Sequence, residues 1–193
     1  MSEDESIPYI PLVMRHDNLL AAPIMPLPQG YSIRLFRPGE ELAWAEIATD
    51  AGEFQSTGEA LNYFAEHFAG HFGQLTGRCF FLLDGVGKPV GTATGWFVDD
   101  DPTIGRLHWV AIAKAHQGRR LCKPLVVAAM NRMAEMGHTT GILTTQPESW
   151  KGIKVYLHLG WKPFDDGLPE YQKGWDIVES IFINSCYGVL CKQ

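Results

Sequence analysis

The sequence predicts an α+β fold: one mixed, twisted, mostly antiparallel sheet with helices on both faces. Three observations carry that reading. Residues 79–83 and 89–98 are apolar, β-prone runs joined by Asp84-Gly85-Val86-Gly87, which reads as a hairpin. Residues 103–114 add a third β-prone run after the turn Asp99-Asp100-Asp101-Pro102. That run breaks at Gln117-Gly118, resumes as a helix to Met136 and is followed by a strand over 140–145, a strand–helix–strand crossover. At 193 residues the chain suits a single domain with a real core, and two would be cramped.

The elements follow in order. Residues 1–29 contain Pro8, Pro11, Pro23, Pro26 and Pro28 with little periodicity, so they are expected to form an extended arm without helix or strand of its own. Its many apolar side chains, Ile10, Leu12, Val13 and Leu19 among them, need cover from the body or from a second subunit, a homodimer in the latter case. Residues 30–193 form the single domain. It opens with a strand over 31–36 ended by Pro38-Gly39, then a helix over 40–49 with Trp44 and Ile47 inward. A second helix is expected over 58–75, where Leu61, Phe64, Ala65, Phe68 and Phe72 recur at helical spacing. After the crossover, Ser149 is the expected N-cap of a short helix that ends at Gly160, and a strand follows over 161–164. The tail around Trp175, Val178, Ile181, Phe182 and Cys186 suits a helix, although Ile181-Phe182-Ile183 also fits a strand.

Composition excludes several classes. A net charge of −6 argues against a nucleic-acid surface, which needs a dominant basic face. The apolar run over 19–27 is broken by Pro23 and Pro26 and is too short to span a bilayer, so no membrane partner is expected. Ser2-Glu3-Asp4-Glu5 is acidic where a secretory leader would be basic, and Cys79, Cys122, Cys186 and Cys191 show no C-x-x-C pairing. A cytoplasmic protein with reduced thiols is the expectation.

The charge is unevenly spread. From Pro102 to Ala134 there is no Asp or Glu, while Arg106, Lys114, Arg119, Arg120, Lys123 and Arg132 lie in that window. A strand, a Gly-containing turn and a helix start amid those cations aim free backbone N–H groups at an anion, which suggests a phosphate-bearing ligand. The segment from Ile112 to Leu125 resembles motif A of the GNAT family of N-acetyltransferases, whose signature is Gln/Arg-x-x-Gly-x-Gly/Ala. Gln117 and Gly118 fit its opening, while Arg120 stands where the family prefers Gly and Cys122 where it prefers Gly or Ala. Downstream, Gly152-Ile153-Lys154-Val155-Tyr156-Leu157-His158-Leu159-Gly160-Trp161 resembles motif B, Ala-Ile-x-Leu-Tyr-x-x-x-Gly-Phe. With the flanking strands the resemblance covers roughly residues 30 to 165.

The resemblance implies a GNAT-like acyl-CoA N-acyltransferase fold with a splayed sheet centre, acetyl-coenzyme A as co-substrate, and an amine acceptor, small molecule or peptide. It places the pyrophosphate of coenzyme A on Gln117, Gly118, Arg119, Arg120, Leu121 and Cys122, with Arg120 carried on the helix, where it has no backbone strain. It also implies that pantetheine pairs with the backbone of Val110, Ala111 and Ile112 like a pseudo-strand. Tyr156 matches the tyrosine that assists the departing thiolate. The base is open: His108 beside the splay is one candidate, and the Asp99 to Asp101 cluster could instead attract a cationic acceptor. Glu66-His67-x-x-x-His71 has two histidines four apart, but not the H-E-x-x-H order and no evident third ligand, so no metal is expected. The competing reading is a non-catalytic acyl-CoA-binding or interaction module of the same fold.

Overall fold

The fold, taken from a computed structural model, is described for residues 7–99, 101–165, 167 and 169–190, with no side-chain description for Ala69 or 186–190. The acidic stretch Ser2 to Glu5, Asp100, Cys191 and the side chain of Cys186 lie outside the described residues. Seven strands build one sheet: β1 (Leu12–His16), β2 (Ser32–Leu35), β3 (Cys79–Leu83), β4 (Pro89–Val98), β5 (Asp101–Ile112), β6 (Thr140–Thr145) and β7 (Lys162–Phe164). Their spatial order is β2-β3-β4-β5-β6-β1-β7. Among the described residues only the β5–β6 pair is parallel, and the helix between them is α4 (Cys122–Glu135), as the crossover pattern predicts. The other helices are α1 (Glu41–Ala51), α2 (Thr57–Phe68), α3 (Phe72–Leu75), α5 (Trp150–His158) and α6 (Tyr171–Leu190). The tail is therefore helical.

Helices cover both faces, and alternation along the strands supplies two cores. Leu82, Leu107 and Leu143 pack with Leu125, Ala129, Met130 and Met133 of α4, and Trp175 and Val178 of α6 extend that cluster. Phe81 and Ala111 face Trp44, Ile47, Phe64 and Phe68 of α1 and α2. Two glycines let α4 lie close on the sheet. A Cβ at Gly95 would come within 2.8 Å of the Ala129 carbonyl oxygen, and one at Gly105 within 2.5 Å of the Met133 sulfur.

The arm departs from expectation. Residues 12–16 form β1, an interior strand paired antiparallel with β6 from Leu12↔Thr145 to His16↔Gly141 and with β7 from Val13↔Phe164 to Arg15↔Lys162. Ile10, Leu12, Val13, Met14 and Leu19 are all buried in the body, so the chain covers its own arm. The predicted helix over 58–75 is interrupted as well. It ends at Phe68, a 3₁₀ turn covers Ala69–His71 and α3 resumes at Phe72, because Gly70 and Gly73 weaken helix continuity by about 1 kcal/mol each. Ser149 does sit at the N-cap of α5, yet it caps no backbone N–H; its hydroxyl accepts from Gln146 Nε2 at 3.1 Å.

Candidate functional site

The sheet opens between β5 and β6. Those strands pair only at Ile104↔Thr140, Gly105↔Gly141 and Arg106↔Ile142, and beyond Arg106 they diverge. A bulge on the other edge of β5 helps to steer it away. Thr94 pairs with His108 and Thr92 with Ala111, so Trp109 and Val110 together oppose Ala93, and Trp109 adopts φ 47°. A non-glycine residue in that region costs about 1–2 kcal/mol, strain that the rings around it hold in place. Trp109 stacks on Phe54 at 4.9 Å and meets Tyr63 edge-on at 4.8 Å.

The divergence makes a cavity of about 390 Å³, walled on β5 by Arg106, Leu107, His108, Trp109 and Val110 and on β6 by Leu143, Thr144 and Thr145. Tyr156 of α5 and Glu53, from the loop after α1, complete it, and Tyr9 of the arm stands at its wall. Glu53 is fixed there by the end of α1. Gly52 takes φ 100°, its N–H bonds to Thr49 O and the Glu53 N–H returns to Ala48 O.

Two groups in this cavity have shifted proton affinities. Burial, with smaller contributions from Cys122 and Glu53, raises the Tyr156 phenol well above its ordinary range, so it keeps its proton. Burial, followed by the charge of Arg106 and by His67, lowers His108 to about 3. His108 is therefore a neutral imidazole at physiological pH and a weak proton acceptor. Asp101 does not line this cavity: at the start of β5 it accepts from the N–H and hydroxyl of Thr103. His67 and His71 do not share a helix face, because α2 ends at Phe68. His67 lies stacked on Tyr63 at 3.7 Å, and His71 rests against Trp96 and Phe97.

A second cavity, of about 270 Å³, lies beside the start of α4 and is lined by Ile112, His116, Gln117, Gly118, Arg120, Leu121, Cys122, Lys151 and Val155. The predicted phosphate loop is thus one wall of a real cavity, but its backbone differs from the expected helix start. Lys114–His116 form a 3₁₀ turn, Gln117 is extended, Gly118 takes φ 73° and Arg120 φ 62°, and α4 begins only at Cys122. Leu121 at the N-cap offers no side-chain cap, so the first turn of α4 is left open to an anion, although Pro124 contributes no N–H to it. Arg120 is therefore not a helical residue, and the glycine that the resemblance prefers there answers a left-handed backbone. Arg120→Gly should raise stability by about 1 kcal/mol, a few degrees in Tm, while removing one cation from the cavity. A melting curve beside a coenzyme A titration separates the two effects.

The remaining predicted residues divide. Gln117 turns its amide back onto Ile112 O at 2.9 Å, so it braces the loop against the end of β5. Arg119 is exposed and donates to the Tyr31 hydroxyl at 3.3 Å, which is itself 3.0 Å from His116 Nδ1. Val110 lines the 390 Å³ cavity and Ile112 the loop cavity, whereas Ala111 is buried between them against the α1–α2 core. Cys122 lies in the loop-cavity wall, where burial pushes its thiol up to about 11. Glu53, Trp109 and Tyr9 carry no site assignment from the sequence, and Arg106 enters there only as one cation of the basic window, not as a wall of the 390 Å³ cavity. No spacing signal singles them out, since a loop, a bulge and the arm bring them together.

Comparison with known proteins agrees with this geometry. The acetyltransferase (GNAT) family model matches residues 41–161. The chain is 29% identical over 150 residues to the mycothiol acetyltransferase of Sanguibacter keddieii, an alignment covering 73% of this chain and 46% of that protein. It is 27% identical over 146 residues to the mycothiol acetyltransferase of Streptomyces bingchenggensis, covering 74% and 46%. The chain thus spans about half the length of the curated relatives it matches. Among solved structures, a GCN5-related N-acetyltransferase from Sphaerobacter thermophilus shares the fold with a TM-score of 0.66 at 21% identity, covering 83% of this chain and 51% of that one.

Proposed function

The chain belongs to the GNAT family of acetyltransferases, and we propose that it transfers an acetyl group from acetyl-coenzyme A to the amine of an acceptor by direct attack. The observation that carries this reading is the position of Tyr156. Its phenol is protonated and lines the cavity in the sheet split, on the same helix, α5, whose Lys151 and Val155 line the loop cavity. A proton donor on the helix that borders both cavities suits a reaction in which one cavity supplies the thioester and the other the nucleophile.

The residues fit coenzyme A at the loop. Open N–H groups at the start of α4, with Arg119, Arg120 and Lys123 around them, would hold the pyrophosphate, and the β5 edge from Val110 to Ile112 would meet the pantetheine amides. Acetyl-coenzyme A supplies the activated acyl group. The neutral amine attacks the thioester carbonyl carbon, a C–N bond forms and the C–S bond breaks. A thiol pKa of about 8.5 makes the thiolate a tolerable leaving group, and the Tyr156 hydroxyl donates to it as charge develops. The amine proton must go elsewhere. With a pKa of about 3, His108 cannot store it, so the imidazole acts as a neutral hydrogen-bond acceptor that orients the amine while the proton leaves through cavity water.

Release of thiol from acetyl-coenzyme A with an amine panel tests the reaction. Binding of coenzyme A without turnover of any amine would favour the non-catalytic module. For the cofactor end, Arg119→Glu combined with Arg120→Glu should weaken coenzyme A binding by about 10-fold at low salt and less at high salt, because exposed charges are screened. Unchanged affinity in calorimetry would move the phosphate site away from this loop.

A further inference from the structure

Given the proposed acetyl transfer, on which this step rests, the geometry points to a zwitterionic acceptor: an amino acid or close derivative whose carboxylate pairs with Arg106 while its amine lies on the side of Glu53 and the rings of Tyr9 and Trp109. Arg106 occupies the last rung before β5 and β6 separate, opposite Trp96 on β4 and Ile142 on β6. It is half-buried and lines the floor of the 390 Å³ cavity. No carboxylate pairs with it among the described residues, and of the arginines there without an acidic partner it is the one that lines this cavity. Its charge is felt inside the cavity, since it helps to hold His108 neutral and acts on the Tyr63 phenol.

A partly desolvated guanidinium without a protein carboxylate favours an anion in the adjoining space, and its planar fork matches a carboxylate in two parallel hydrogen bonds. The same charge disfavours a diamine or polyamine, whose second ammonium would be driven towards Arg106. The acidic balance of the whole chain attracts cations at long range, and Arg106 reverses that preference at the cavity floor. Glu53 supplies the opposite sign in the same cavity, and Tyr9 and Trp109 add aromatic rings to its lining, side chains that attract an ammonium. A space of about 390 Å³ with a cation on the floor and a carboxylate and rings on the walls has the size and polarity of an amino-acid-sized ligand.

The test compares amino acids with their decarboxylated amines, lysine with cadaverine and phenylalanine with phenethylamine, in thiol release by the wild type, Arg106→Gln and Arg106→Lys. The wild type should favour the carboxylate-bearing member of an accepted pair by about 10-fold or more in kcat/KM, mainly through KM. Arg106→Gln should bring that ratio close to one, and Arg106→Lys should retain part of it. A wild-type ratio near one, or a ratio intact in Arg106→Gln, overturns the assignment. Should no amine release thiol although coenzyme A binds, acetyl transfer itself has failed. Calorimetry of the same pairs on the coenzyme A complex then decides the acceptor question alone. Carboxylate-dependent binding lost in Arg106→Gln upholds it, and equal binding of both members overturns it. Melting curves guard against misfolding, and Arg106→Lys, which keeps the charge and the packing, remains informative if Arg106→Gln is destabilised.

Discussion

Deleting residues 1–28 should leave a chain that no longer melts cooperatively and that aggregates at low micromolar concentration. The deletion removes β1 from between β6 and β7, exposing a hydrogen-bonding edge on each side of the gap. It also strips out Ile10, Leu12, Val13, Met14 and Leu19, each 4% exposed or less. At about 1.5–3 kcal/mol for each buried side chain, that is roughly 8–15 kcal/mol, the full stability of an ordinary domain. The site would suffer as well. His16 Nε2 lies 3.1 Å from Leu159 O, and its ring meets Trp161 edge-on at 5.5 Å, so β1 fixes the end of the helix that carries Tyr156. A milder probe, Met14→Ala, should cost about 2–5 kcal/mol while preserving the strand backbone. Circular dichroism melts and light scattering read both variants. A cooperative melt of the truncated chain within a few degrees of wild type would make the strand dispensable.

That strand was illegible in the sequence for identifiable reasons. It is five residues long, proline-flanked at Pro8 and Pro11, and its pairing partners lie about 130 and 150 residues away. By contrast β3, β4 and β6 were legible to the residue, because apolar alternation and the turn at Asp84 to Gly87 are local signals. The site divides the same way. Tyr156 and the loop from Gln117 to Cys122 were visible because two motifs hold them at a fixed spacing, and both line cavities. The left-handed backbone of Arg120 was not, since an arginine gives no hint of positive φ. Glu53 reads as an ordinary surface charge, and Arg106 as one cation of the basic window that suggests a phosphate ligand. Only the divergence of β5 from β6 and the glycine-ended turn after α1 bring them into one cavity.

Tyr156→Phe should keep the fold and the affinity for coenzyme A but lower kcat by about 100-fold or more, the scale of general acid catalysis. Tyr156 is 6% exposed on α5, held between Ile153, Leu159 and Trp161 in the core of that face, so a phenylalanine ring fills the same space. Its raised proton affinity means that the hydroxyl is a donor throughout the working pH range, and the rate should show no alkaline limb from its ionisation below about pH 10. A donor aimed at the departing sulfur acts only as the C–S bond breaks, so the loss should fall on kcat and kcat/KM together, with little change in KM. A purely packing tyrosine gives the opposite pattern. Removing a buried hydroxyl that bonds within the protein would leave its partner unsatisfied and cost about 1–3 kcal/mol, with turnover spared. Steady-state thiol release beside a melting curve separates the two outcomes. Wild-type turnover in Tyr156→Phe would remove the phenol from the chemistry and leave desolvation and positioning in the sheet split as the source of rate acceleration.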